Sequence, residues 1–234
     1  MNDGTASVGA TGADRTTSAL ARVPLFAGLE PDALAAAAAH GVRRKACAGA
    51  VLFQENAPAT TLYVLLDGRV RVTRAAAEGH VVVLHFAHAG DVLGCAILGG
   101  ARRYPGSAEV VSDATVLAYD ERALARVTER SPAVTRNALR MLSGRMEDLR
   151  DRLHEMTTES VERRIAHVLV RFADKARDEL RRPELPLSRQ DLAELVGATQ
   201  YTVSRVVARW QKAGWLEAGR GRVTVVDVEA LRGV

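Results

Sequence analysis

Gly197 lies between two short amphipathic patterns, and their spacing constrains the fold more than any other feature of the chain. Ser188-Arg189-Gln190-Asp191 reads as a capping-box-like start, with a hydroxyl and a carboxylate placed to take orphan helix amides. The spacing predicts a helix over Gln190–Val196 that buries Leu192, Ala193 and Leu195 or Val196. Gly197 supplies the sharp turn. Thr199 then caps a second helix, Gln200–Lys212, which buries Val203, Val206, Val207 and Trp210 and leaves Gln200, Tyr201, Ser204 and Arg205 on its exposed N-terminal face. Gly214 ends that helix. Trp215-Leu216-Glu217 and Val223–Val226 bracket the Gly/Arg segment 218–222 as a hairpin. Helix, glycine turn, helix and β-wing together make a winged helix-turn-helix.

These residue types suit double-stranded DNA. A helix fits the major groove, where Arg205 can make the bidentate contact to guanine O6 and N7. Gln200 suits adenine or a phosphate, Ser204 tolerates several partners, and Tyr201 suits a thymine methyl or a phosphate. Ser188, Arg189 and Thr199 complete the candidate set at the two helix starts. Arg220 and Arg222 in the wing are placed for phosphates, where they add affinity without sequence information. The competing reading is a ligand-binding module whose winged helix docks another protein. Salt separates the two, because DNA binding weakens steeply through counterion release.

The charge distribution supports a polyanion partner. Residues 160–234 carry 14 basic and 10 acidic side chains, whereas residues 1–159 carry 18 of each, so the net +4 lies entirely in the last third. With 47% apolar and 26% charged residues, the composition is that of an ordinary globular protein. No apolar run reaches the roughly 20 residues needed to span a bilayer, and the first twenty residues have no signal-like apolar core. The expectation is a cytoplasmic protein with no membrane partner. Cys47 and Cys95 are the only cysteines, which excludes a disulfide framework and an iron–sulfur cluster held by this chain alone.

Residues 1–20 are small and polar without periodicity, and are expected to form a disordered tail. A short Ala-rich helix follows over Pro31–His40, closed by Gly41. Residues 21–122 then read as a sensor domain of many short strands. Leu62–Leu66 and Arg69–Arg74 are separated by Asp67-Gly68, the signal of a tight hairpin, and His80–Phe86 and Thr115–Tyr119 are further β-branched runs. The expected fold class is therefore α+β, with an N-terminal antiparallel β-roll of the jelly-roll type. After Asp120 the period changes. Leu139, Leu142, Met146, Leu149, Leu153 and Met156 are spaced 3, 4, 3, 4, 3, a narrow heptad seam that suits a partner helix. Residues 123–158 are accordingly read as a long dimerisation helix, and 159–234 as the DNA-binding domain. The latter opens with an amphipathic helix from Ser160 that carries Val161, Ile165, Val168, Leu169 and Phe172 on one face. A loop fixed by Pro183 and Pro186 follows.

Residues 21–232 as a whole resemble the Crp/Fnr family of bacterial transcription regulators. The resemblance rests on Ala50–Gln54, on Thr61–Val72 (TLYVLLDGRVRV), on Gly90–Gly94, and on Ser107-Ala108. Arg164-Ile165-Ala166 and Ser188–Arg205 (SRQDLAELVGATQYTVSR) extend it. It implies a β-roll shaped for a cyclic nucleotide, a dimerisation helix, a homodimer on a palindromic operator, and RNA polymerase as partner for an activator. The roll positions it assigns to an effector are Gly94, Cys95, Gly106, Ser107, Ala108 and Leu149. At these places the chain departs from cyclic-AMP-responsive members. Cys95 stands where a Glu holds the ribose, Gly106 where an Arg grips the cyclic phosphate, and Leu149-Arg150 where a Thr-Ser pair faces adenine. These departures disfavour cyclic AMP. Tyr104–Glu109 and Thr199–Arg205 look like nitrogen-oxide-responsive Nnr/Dnr-type members, which makes haem a candidate cofactor. His80, His85 and His88 flank the roll, and His85 or His88 is the candidate iron ligand; the alternative is that they are strand and surface histidines without a ligand. Cys95 is read either as a redox or metal-binding thiol or as a packed small residue. No Gly-rich phosphate loop, paired carboxylates or His-Glu-x-x-His motif points to an enzyme.

Overall fold

Alternation along two long strands organises the first half of the molecule. The structure, a computed structural model, describes residues 12–75, 81–176, 182–185 and 187–234. The chain divides into two units, one ending at Arg145 and the other beginning at Met146. In the first, α1 (Gly12–Leu20), α2 (Pro31–His40), β1 (Val42–Ala46), β2 (Val51–Phe53), β3 (Thr61–Ala75), β4 (Val81–Ala87), β5 (Val92–Leu93), β6 (Ser107–Asp120) and α3 (Glu121–Arg130) follow in order. All six strands form one antiparallel sheet in the order β1-β6-β3-β4, with β2 paired to β6 and β5 to β3. Successive side chains of a strand face opposite sides. Tyr63, Leu65, Val116 and Ala118 therefore point into the roll, while Leu62, Val64, Leu117 and Tyr119 pack under α1, α2 and α3. The expected antiparallel β-roll is what forms.

Three local expectations are corrected. Asp67-Gly68 does not make a hairpin. β3 runs through it as one 15-residue strand, bulged around these two residues and paired with β6 on both sides. Gly68 adopts φ +90°, and a Cβ there would come within 2.4 Å of the Asp113 carbonyl oxygen, so the pair bends a strand instead of reversing it. Gly68→Ala is expected to cost about 1–3 kcal/mol from the backbone conformation and the clash together, read as a lower urea midpoint at unchanged m-value. Second, the tail expected over residues 1–20 is helical from Gly12 to Leu20, because Leu20 and Val23 are fully buried in the core beneath α2; residues 1–11 lie outside the described residues. Third, the helical stretch 123–158 is two helices. α3 is capped by the Asp120 carboxylate, which accepts from the Ala123 amide at 2.7 Å, and it ends at Ser131. α4 (Pro132–Thr158) starts afresh at Pro132, whose missing N–H suits a first turn. Asn137, buried on α4, donates to the carbonyls of Leu25 and Ala27 at 3.1 and 2.9 Å and fixes that start.

The second unit contains the last turns of α4, then α5 (Val161–Ala176), β7 (Glu184–Leu185), α6 (Arg189–Val196), α7 (Gln200–Lys212), β8 (Leu216–Gly219), β9 (Arg222–Val225) and α8 (Val228–Arg232). Its core gathers Ile165 and Leu169 of α5, Leu192 of α6, Val203, Val207 and Trp210 of α7, and Val223 and Val225 of the wing. The expected loop between α5 and α6 contains a strand. β7 pairs with β9, so the wing is three-stranded in the order β7-β9-β8; Arg181 and Pro186 lie outside the described residues. Among the described residues no helix is long and apolar enough to cross a membrane.

Candidate nucleic-acid interface

The helix-turn-helix closes as its residues dictate. Ser188 Oγ accepts from the Asp191 amide at 3.0 Å while the Asp191 carboxylate accepts from the Ser188 amide at 2.8 Å, a complete capping box. Gly197 takes the left-handed conformation that turns the chain, and Thr199 Oγ1 accepts from the Thr202 amide to open α7. The hydroxyls of Ser188 and Thr199 are thus engaged in building the helix starts. Arg189, exposed, reaches the Gln211 side chain at 3.4 Å and braces α6 against α7.

The face of α7 left outside carries Gln200, Tyr201, Ser204 and Arg205, as its periodicity predicts. The Arg205 guanidinium lies 5.9 Å from the centroid of the Tyr201 ring. One turn on, Arg209 pairs with Glu162 at the start of α5. Arg205 and Arg209 line a cleft of about 330 Å³ together with Val161, Glu162, Thr202 and Val206. In the wing, β8 and β9 are joined across Arg220-Gly221, which leaves Arg220 exposed at the tip. Arg222 is exposed too, and its guanidinium approaches Glu184 of β7 at 3.7 Å. Glu162 and Glu184 escaped the sequence reading. Each carboxylate answers an arginine far away in sequence, so no local spacing announces it.

The last turns of α4 pack on this reading head. Arg152 donates to the Leu195 carbonyl at the end of α6 at 3.2 Å, and the Met156 methyl lies where a Cβ on Gly197 would come within 3.1 Å of it. Glu155 accepts from Arg171 of α5 at 2.5 Å, and His167 Nδ1, also on α5, lies 3.2 Å from the same carboxylate oxygen. Burial and the neighbouring Arg171 hold the Arg152 pKa below the usual guanidinium value, against the opposing pull of Glu155 and Asp148. Along α4, Leu139, Met146, Leu149, Leu153 and Met156 are between 54 and 66% exposed, and Leu142 is half-buried.

The roll's candidate effector residues have the following surroundings. Gly94 is left-handed, and a Cβ there would crowd the Thr61 carbonyl and the Tyr104 ring. Tyr104 stacks on Phe53 with ring centroids 4.1 Å apart, and its hydroxyl donates to the Thr61 carbonyl at 2.7 Å. Cys95 is buried, and Arg145 of α4 donates to its Sγ at 2.9 Å and to the Val92 carbonyl at 2.7 Å. Arg145 was not singled out by sequence, since it sits between seam positions 142 and 146 like any flanking charge. A Cβ on Gly106 would meet the Thr73 carbonyl oxygen at 2.6 Å. Ser107 Oγ accepts from the Glu55 amide at 2.9 Å, and Ala108 is fully buried. Leu149 belongs to the second unit and is exposed. His85 stands on β4 opposite Val72, half-buried, and the His88 amide donates to Asp91. His80 lies outside the described residues. Among the described residues, no three His, Cys, Asp or Glu side chains are grouped to hold a metal ion.

A β-roll followed by a long helix and a winged helix-turn-helix with arginines on its reading face defines a DNA-binding regulator. Residues 43–131 match the cyclic nucleotide-binding domain and residues 163–234 the Crp-like helix-turn-helix domain. The chain joins in one sequence the two domains of the Crp/Fnr-type transcription regulators. It is 26% identical over 215 residues to the CRP-like cAMP-activated global transcriptional regulator of Mycobacterium tuberculosis, covering 91% of this chain and 96% of that one. It is 27% identical over 192 residues to the nitrogen fixation regulation protein FixK of Bradyrhizobium diazoefficiens, covering 78% of each. Among solved structures, FixK2 of Bradyrhizobium japonicum has the same fold, with a TM-score of 0.74 at 22% identity, covering 82% of this chain and 96% of that one.

Proposed function

We propose that this protein is a homodimer that binds a two-fold operator through α7 and is controlled by a signal in the roll other than cyclic AMP. The observation that carries the DNA reading is the exposed face of α7, where Arg205 and Tyr201 project from a helix fixed at both ends. The seam on α4 supports the dimer, because five large apolar side chains stand exposed at heptad spacing. Half-sites spaced about one helical turn, roughly 34–36 Å between centres, follow from such symmetry.

Arg205→Ala is expected to cost about 1–3 kcal/mol on the preferred operator and to relax preference at one base pair per half-site. Arg220→Ala is expected to weaken all sequences alike and to shallow the salt dependence. Titrations of operator and random duplexes at several salt concentrations check both. Equal losses on both DNAs for Arg205→Ala would reduce it to a phosphate contact. If α7 instead docks a protein, the wild type binds no duplex with a steep salt slope.

Within the family, Tyr104–Glu109 and Thr199–Arg205 favour the nitrogen-oxide-responsive Nnr/Dnr-like members, and with them a haem-borne signal. His85 and His88 are the imidazoles of the roll that would hold the iron, and bound haem would supply a gas-binding metal. On haem addition, a Soret band that shifts in the His85→Ala/His88→Ala variant is the expected result. A band that never forms, or is unchanged in the variant, removes these ligands.

A further inference from the structure

Residues 201, 205 and 209 follow one another at one-turn spacing on the outer face of α7, so their side chains stack along the helix. Arg209 is held by the Glu162 carboxylate. Arg205 is held differently. Long helical side chains lean toward the N-terminus, and its guanidinium reaches back to 5.9 Å from the Tyr201 ring centroid, within the range at which an aromatic face attracts a cation. Tyr201 is 73% exposed, so core packing does not explain an aromatic at this position. An unrestrained exposed arginine samples many rotamers, whereas two-pronged reading of a guanine edge needs the guanidinium fork in one orientation.

We infer that Tyr201 is a positioning residue for Arg205, and through it a determinant of which base pair α7 discriminates; this rests on α7 being the DNA-reading helix. The ring restricts the guanidinium before DNA arrives, so less side-chain freedom is lost on binding the correct base pair. Random DNA, which asks only for charge, gains nothing from the restriction.

The test uses the full-length protein. A preferred duplex is selected from a random pool, and affinities for every single-base variant of it are measured with wild type, Tyr201→Phe, Tyr201→Leu, Arg205→Ala and the Tyr201→Leu/Arg205→Ala double variant. Tyr201→Leu keeps apolar bulk without the aromatic face. It is expected to lose about two- to fivefold of discrimination at the base pair that Arg205→Ala also relaxes. The loss at that base pair exceeds any loss common to all duplexes, random DNA included. Tyr201→Phe keeps the discrimination at that base pair, because it keeps the aromatic face, and the double variant discriminates no worse than Arg205→Ala alone. In the free protein, the Arg205 side-chain protons carry an upfield ring-current shift in NMR spectra that vanishes in Tyr201→Leu. Loss at a different base pair, additive with Arg205→Ala, would show that Tyr201 reads its own base and would overturn the inference. Loss in Tyr201→Phe equal to that in Tyr201→Leu would assign the effect to the hydroxyl and overturn it as well. A wild type with a sequence preference that Tyr201→Leu leaves unchanged overturns this inference alone. A wild type with no sequence preference overturns the DNA reading together with it.

Discussion

Leu142→Lys combined with Leu149→Lys is expected to yield a monomer in sedimentation experiments. Two ammonium groups per chain, set on a seam that meets its own copy, place four like charges in one apolar interface, and each loses its hydration there without gaining a partner. Because Leu142 is half-buried and lines a groove with Ile97, Leu124 and Ala138, a companion variant, Leu149→Lys/Leu153→Lys, changes only exposed positions and is expected to dissociate in the same way. Operator affinity is expected to fall by several orders of magnitude in both, since a monomer would keep only one half-site's contacts. Far-UV circular dichroism of wild-type amplitude establishes that the chains still fold. An intact dimer in either variant rules out α4 as the seam.

Cyclic AMP is expected to bind this chain weakly, and restoring the missing arginine is expected not to help. The cyclic phosphate lacks its guanidinium at Gly106, and the ribose lacks its carboxylate at Cys95. At about 1.5–3 kcal/mol for each charged contact, affinity drops by roughly two to four orders of magnitude relative to a site that has both. Gly106 is closed to substitution by geometry, because the Thr73 carbonyl oxygen stands 2.6 Å from where any Cβ would be. Gly106→Arg is therefore expected to lose stability without gaining nucleotide. The Cys95 position is likewise engaged, with its sulfur and the Val92 carbonyl both accepting from Arg145. Isothermal titration calorimetry with wild type and Gly106→Arg reads the result. Micromolar binding to the wild type would refute this account of the roll.

Local chemistry made the second unit legible. The capping box at Ser188, the left-handed Gly197, the Thr199 cap and the buried stripe ending in Trp210 each depend on residues within a few positions of one another. The same holds for α2 and the exposed seam of α4. What escaped depends on distant partners. Asp67-Gly68 carries the local signature of a hairpin, and only the 14 residues of β6, more than thirty positions later, turn it into a bulge in a continuous strand. Glu184-Leu185 looked like part of a proline-bounded loop until β9 offered an edge. Leu20 looked like the end of a polar tail, but it is an anchor in the core. In the roll, the substitutions at Cys95 and Gly106 were visible in the sequence, whereas Arg145 and the Phe53–Tyr104 stack that now surround those places were not.

The clasp that Arg152, Glu155 and Met156 make on α5 and on the Leu195–Gly197 turn has a mechanical meaning. With its final turns fastened to the reading head at three points, α4 acts there as a crankshaft and not as a tether. A twist of those turns about their own axis would carry α5 and the Leu195–Gly197 turn with it, and the turn leads into α7. In the proposed two-fold dimer such a twist would be applied to both copies, related by the two-fold axis, so the spacing of the two reading helices would follow a single angle.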